Sequence, residues 1–321
     1  MRAVVLREPG PVENLVVTAL PIPTPPPGWL RIRVRAFGLN RSELHTRIGL
    51  AEGVTFPRVL GIEATGTIDD PGDSDLAVGT RAVTMMGGMG RTFDGGYAEY
   101  VIVPRAQVIP FRSDLPWDVL GAIPETLQTA YGSLTKGCDL HANQTVLIRG
   151  GTSSTGLAAA AVAKDLGATV LATTRSASRK SVVEAQGAIA LVDDGNVAAQ
   201  VRALYPDGVD AAIELVGTPT LPDTLRATKV HGTVCFTGML SNEWIVKDFY
   251  PIGYIPSGVR LTAYSGSTGD LGPDVLQRFV DRIAAGALSL GPIQRYTLDQ
   301  IRDAHADMEH NRAVGKQVVV T

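Results

Sequence analysis

Residues 145–180 read TVLIRGGTSSTGLAAAAVAKDLGATVLATTRSASRK. The run TVLIRG is apolar without alternation, which predicts a strand buried on both faces. GTSSTG follows, with Gly151 and Gly156 at the outer positions of a G-x-G-x-x-G turn and Ser153 where the middle glycine would stand. The first glycine makes the tight turn, and the last lets helix and strand pack closely. GLAAAAVAKDLG has the small residues of a helix laid on a sheet, and ATVLATT reads as a second strand. Strand, turn, helix and strand in that register predict a dinucleotide-binding unit, with phosphate at the helix N-terminus. The expected contacts are Gly151, Thr152, Ser153, Ser154, Thr155 and Gly156, with Ser153 either displacing the phosphate outward or donating a hydroxyl bond to it.

The end of the second strand bears on which dinucleotide fits. An acid there would take a ribose 2′-hydroxyl. Instead Thr174 is followed by Arg175, Ser176, Arg179 and Lys180, and no acid occurs before Glu184. Three cations and hydroxyls suit a 2′-phosphate, so NADP(H) is expected over NAD(H).

Outward from this stretch, the alternation continues. ASRKSVVEAQG, NVAAQVRALYPDG and a short segment near 220–228 read as helices, while AIALVDD, VDAAIELVG, GTVCFTG and VRLTAY read as strands. Strands each followed by a helix predict an α/β doubly wound parallel sheet covered on both faces. The first hundred residues differ, with short β-branched runs between Gly and Pro clusters. In WLRIRVRAFG, Leu30, Ile32, Val34 and Ala36 face one way and Arg31, Arg33 and Arg35 the other. GGMGRTFDGG (87–96) reads as a mobile Gly-rich loop. PDVLQRFVDRIAAG and LDQIRDAHADMEHN read as late amphipathic helices, and GKQVVVT as a closing strand. The expected organisation is a dinucleotide-binding domain at 118–258 set into a β-rich domain of 1–117 and 259–321.

Composition narrows the classes. The 321 residues are 45% hydrophobic and 19% charged with a net charge of −3, which fits a globular enzyme and offers no basic footprint for nucleic acid or anionic membrane. Two cysteines, Cys138 and Cys235, exclude a disulfide framework or a four-cysteine zinc site. The apolar start is too short for a signal peptide and LAAAAVA far too short for a membrane span, so a cytoplasmic protein is expected.

LGIEATGTI (60–68), VGTRAV (78–83), GGYAEYVIVP (95–104), TAYGSL (129–134) and the glycine turn occur in an order that resembles the medium-chain dehydrogenase/reductase superfamily. The resemblance covers essentially the whole chain. It implies a Rossmann domain plus a GroES-like catalytic domain, a homodimer, and a cofactor contact from Arg41. Thr129 is a further expected cofactor contact, and Gly238, Met239 and Ser265, in loops at the carboxyl ends of the fifth and sixth strands, are expected to flank the nicotinamide. Zinc-dependent relatives place a Cys ligand where GLNRSELH (38–45) has Asn40, and a His ligand where this chain has Ile62. The third ligand position aligns with Glu125. Catalytic zinc needs three ligands, so no metal is expected.

Zinc-free relatives resemble quinone oxidoreductases and enone reductases using NADPH, which implies a small-molecule quinone or conjugated carbonyl as substrate. Such substrates take hydride to give a delocalised anion that hydrogen bonds can stabilise. Asn40 and Ser42 are the expected donors, and His45, Tyr131 or solvent the proton source. Asn40 and Ser42 also suit the cap of a helical turn near Glu43. A nucleotide-binding regulator without turnover and a zinc-free alcohol or carbonyl dehydrogenase are the alternatives.

Overall fold

A computed structural model describes residues 1–321. The chain divides into two compact units: Met1–Glu125 with Ser267–Leu288 and Pro292–Thr321, and Thr126–Gly266 with Ser289–Gly291. No helix is long and apolar enough to cross a membrane.

In chain order, the first unit begins with β1 (Arg2–Leu6), β2 (Leu15–Ala19), β3 (Trp29–Gly38), helix α1 (Arg41–Arg47), β4 (Arg58–Val59), β5 (Glu63–Asp70) and β6 (Arg81–Met85). It continues with β7 (Tyr100–Pro104), β8 (Val108–Pro110) and α2 (Trp117–Gly121), and α3 (Pro124–Gly132) starts at its edge. The expected alternation of β3 holds: Leu30, Ile32, Val34 and Ala36 are buried, whereas Arg33 is exposed and Arg31 and Arg35 are half-buried. Phe37 stacks on Tyr97 with centroids 4.6 Å apart beneath this face.

The second unit contains β9 (Thr145–Arg149), α4 (Ser154–Asp165), β10 (Thr169–Thr174), α5 (Lys180–Glu184), β11 (Ile189–Val192) and α6 (Val197–Leu204). β12 (Val209–Glu214), α7 (Leu221–Ala227), β13 (Thr228–Phe236), α8 (Pro251–Tyr254) and β14 (Arg260–Ala263) complete it. Its six strands pair in the order β11-β10-β9-β12-β13-β14, all parallel. The sheet reverses direction at β9 and β12, and a crevice for ligand opens beyond the carboxyl ends of strands at such a point. Residues 157–163 of α4 are buried, because alanines let the helix lie close to the sheet.

The chain returns to the first unit with α9 (Pro273–Ala284), β15 (Ile293–Thr297), α10 (Ile301–Glu309) and β16 (Lys316–Val320). A seven-stranded sheet there has the order β15-β16-β3-β5-β6-β8 with β7 on β3, and a second has β2-β1-β4. β15 escapes the sequence pattern, since IQRYT has little apolar content.

The unit boundaries differ from those expected at 118 and 258. Helix α2 packs on β3 and β16, which keeps residues to Glu125 in the first unit. Strand β14 pairs with β13, which keeps residues to Gly266 in the second. Sheet pairing, which composition cannot show, decides both edges.

A Cβ added to Gly156 would lie 2.4 Å from the Gly150 carbonyl oxygen. Gly156→Ala should therefore push α4 off the turn and cost about 1–3 kcal/mol in urea unfolding. Gly272→Ala, open on all sides, should cost less than about 1 kcal/mol. Equal costs would show that the close approach is unimportant.

Candidate functional site

In the second unit the turn after β9 is built by backbone necessity. Gly150 has φ +86°, and a Cβ on Gly151 would lie 2.7 Å from the Ala172 Cβ. Within the chain, the Ser153 side chain bonds only inside the turn. Its hydroxyl caps α4, accepting from the Gly156 N–H at 3.0 Å and donating to the Gly150 carbonyl at 2.8 Å. The N–H groups of Ser154 and Thr155 in the first turn of α4 make no hydrogen bond within the chain. A helix of twelve residues thus presents open donors beside a glycine cradle, as phosphate binding requires.

Around that turn, buried charges are already spent. Arg149, the last residue of β9, bonds Asp193 and Asp223 at 2.7 Å each. Burial would lower the Arg149 pKa, but these two carboxylates hold it above its ordinary value. Glu214, at the end of β12, is fully buried and accepts from the Val216 and Gly217 N–H groups and the Thr220 and Thr224 hydroxyls. Burial pushes its carboxyl above the usual range. Neither residue stood out in the sequence, because a charged residue closing a strand looks like any exposed end.

After β10, Thr174 bonds its hydroxyl with the backbone of Ser176. Arg175 is exposed, Arg179 and Lys180 are half-buried, and none of the three pairs with a carboxylate. Gly238 donates its N–H to the Glu214 carbonyl at 3.0 Å, which brings the Gly238–Met239 segment to the end of β12. Ser265 follows β14 and is exposed, and Thr129 and Tyr131 lie half-buried along α3.

In the first unit the loop GLNRSELH is the entry to α1. Asn40 is its N-cap, and its N–H donates to the Glu43 carboxylate at 3.1 Å, as a capping box would have it. The Asn40 side chain faces inward. Its Oδ1 accepts from Lys316 Nζ at 2.5 Å and its Nδ2 donates to Glu63 Oε1 at 3.0 Å. Lys316 Nζ also lies 2.8 Å from Glu63 Oε1 and 3.5 Å from Glu125 Oε2. Glu63 Oε2 accepts the Glu125 N–H, and Glu43 Oε1 accepts the Ile62 N–H. Burial would strip the Lys316 proton, yet Glu63 and Glu125 hold the ammonium above the usual lysine range. Burial pushes the neighbouring Glu43 up to about 7.

This cluster gathers residues that sequence spacing left apart. Asn40, Glu63 and Glu125 meet around Lys316, which the sequence did not single out. Asn40 is thereby engaged as a structural amide. Ser42 faces elsewhere, accepting from Arg91 Nη2 at 2.6 Å. His45 lies buried in the last turn of α1, and Arg41 donates to Asn311 at 2.5 Å.

A family model described as the alcohol dehydrogenase GroES-like domain matches residues 26–113, and one described as zinc-binding dehydrogenase matches 154–281. The chain belongs to the medium-chain dehydrogenase/reductase superfamily. A probable quinone oxidoreductase of Schizosaccharomyces pombe is 26% identical over 97% of this chain and 94% of its own length. The spectinabilin polyketide synthase protein NorB of Streptomyces orinoci is 28% identical over 97% of this chain, but the chain spans only 14% of its length. A mycobacterial protein solved in complex with NADPH aligns over 100% of both chains with TM-score 0.88 and 26% identity.

Zinc, which the name of one model implies, does not fit the superfamily's ligand positions in this chain. Ile62 has no donor atom, and the Asn40 oxygen is bound by an ammonium that would repel a dication. No group of three His, Cys, Asp or Glu side chains is arranged to hold a metal ion.

Two outcomes follow from this chemistry. Lys316→Met should leave Glu63 unpaired and cost about 3–5 kcal/mol in urea unfolding, whereas the neutral pair Lys316→Met/Glu63→Gln should cost clearly less. A double variant as unstable as the single one would show that charge pairing is not the cause. Glu43 holds its proton more tightly in the fold, at about 7, than in the unfolded chain at 4.5. Its stabilisation is present below the unfolded value and is lost as pH rises through the folded one. Between those values the wild type should lose roughly 3 kcal/mol more than Glu43→Gln, and equal losses would refute the assignment.

Proposed function

We propose that this chain is an NADPH-dependent, zinc-independent reductase of quinones or α,β-unsaturated carbonyls. The observation that carries this is the Lys316 ammonium among Asn40, Glu63 and Glu125. Where relatives would polarise an alcohol oxygen with a metal, this chain holds a tethered cation turned toward its own carboxylates. Alcohol oxidation needs a Lewis acid or base for the alkoxide, whereas a quinone or enone needs only hydrogen bonds to a delocalised anion. The quinone oxidoreductase relatives support the same substrate class.

For the cofactor, Ser154 and Thr155 N–H groups at α4 would hold the pyrophosphate, with Gly151, Thr152 and Gly156 giving it room. Arg175, Arg179 and Lys180 would take a 2′-phosphate, since no carboxylate competes for them. Gly238, Met239, Ser265 and Thr129 would border the nicotinamide, and Arg41 would serve the pyrophosphate. The bound nicotinamide supplies hydride. Ser42 donates to the substrate oxygen, and His45, Tyr131 or water returns the proton. The resemblance further suggests a homodimer.

Absorbance at the NADPH band with a panel of quinones and enones tests the proposal. Turnover with NADPH should exceed that with NADH. Arg175→Ala should raise the KM for NADPH about tenfold, the loss of one charge-assisted contact, and leave that for NADH unchanged. Tight NADPH binding with silence across the panel would instead mark a nucleotide-binding regulator. An equal response to both cofactors would remove the 2′-phosphate assignment.

A further inference from the structure

The Gly-rich segment 87–96 is a run of bonded turns rather than a loose loop. Met89 and Arg91 donate backbone N–H bonds to Met86 and Gly88, and Gly95 and Gly96 donate to Val59 and Gly61. Met89 is fully buried. A Cβ on Gly90 would lie 2.8 Å from the Gly61 backbone nitrogen, so this segment lies directly on the Gly61-Ile62-Glu63 turn. Met86, Gly87, Gly88 and Gly90 all have positive φ. Such a sharply coiled backbone, anchored on both sides of Arg91, delivers that side chain to Ser42 at the start of α1.

The Arg91 guanidinium is exposed, pairs with no carboxylate, and donates to the Ser42 oxygen at 2.6 Å. A serine hydroxyl has one hydrogen and two lone pairs. With a lone pair taken by a cation, the hydroxyl is a stronger donor, and its hydrogen has no acceptor within the chain. We propose that Arg91 is a positioning residue that turns Ser42 into an oxyanion donor. This rests on the reductase reading. A bound reduced nicotinamide would supply hydride to the β-carbon, and the π pair would then rest on the carbonyl oxygen as an enolate. The Ser42 O–H bonds that oxygen, the fixed positive charge of Arg91 lies one atom behind it, and water then protonates the α-carbon. A quinone gives a phenolate in the same way.

Kinetics of Ser42→Ala, Arg91→Gln and Arg91→Lys, combined with titration of a bound nitrophenol, test this. Ser42→Ala should lower kcat about 100-fold and Arg91→Gln about tenfold, with the KM for NADPH unchanged and Arg91→Lys largely restored. On the wild type the nitrophenol should bind as phenolate with its pKa lowered by about one unit, a shift lost in Ser42→Ala and Arg91→Gln. Melting curves confirm that each variant is folded. Wild-type kcat and an intact phenolate shift in Arg91→Gln would overturn the proposal, as would turnover by a wild type that shows no shift. A wild type inert toward every acceptor, yet with a shift that Arg91→Gln abolishes, would sink the reductase reading and leave the oxyanion pair standing.

Discussion

The Lys316 ammonium and the Glu63 carboxylate, 2.8 Å apart and both removed from water, constrain the first unit. A lone buried ion costs several kcal/mol, and a buried pair is tolerable only when the remaining donors and acceptors are also met. Here they are. Asn40 bonds both members, and the Glu125 N–H takes the second Glu63 oxygen. The first residue of β16, the first residue of β5, the cap of α1 and the start of α3 are therefore bound to one point. Gly38 reflects the same constraint, since a Cβ there would lie 2.4 Å from Glu63 Oε1.

The same pair engages Asn40, which stands where zinc-dependent relatives carry a ligand. The Asn40 amide turns inward to the ammonium, while Ser42 on the same helix bonds Arg91 instead. Glu43 closes the capping box in the same interior, where burial first and the charge of Glu63 second push its carboxyl up to about 7 against the hydrogen bonds it accepts. Local helix capping and the global charge balance are thus one network, in which no member can be changed without unsatisfying another.

The second unit handles buried charge differently. Arg149 and Glu214 close the central strands β9 and β12, and each is consumed by partners inside the unit. They brace the loops at the carboxyl ends of the sheet and leave the α4 N–H groups and the cations after β10 without internal partners. The division is between structural charges that are neutralised inside the unit and donors that are not.

Much of this was written in local pattern. The β9–turn–α4–β10 register, the alternation of β3 and the doubly wound order follow from residue spacing, because buried strands and close-packed helices dictate which residues can stand where. The capping role of Asn40 was legible for the same reason. Three things were not. Strand β15 lacks an apolar signal, the unit edges depend on which strands pair, and Lys316, Arg91 and Arg149 bond partners distant in the chain, while Glu214 is buried by the sheet although its partners are near in sequence. A charge has no local signature of burial, and only the tertiary structure decides whether it meets water or another ion.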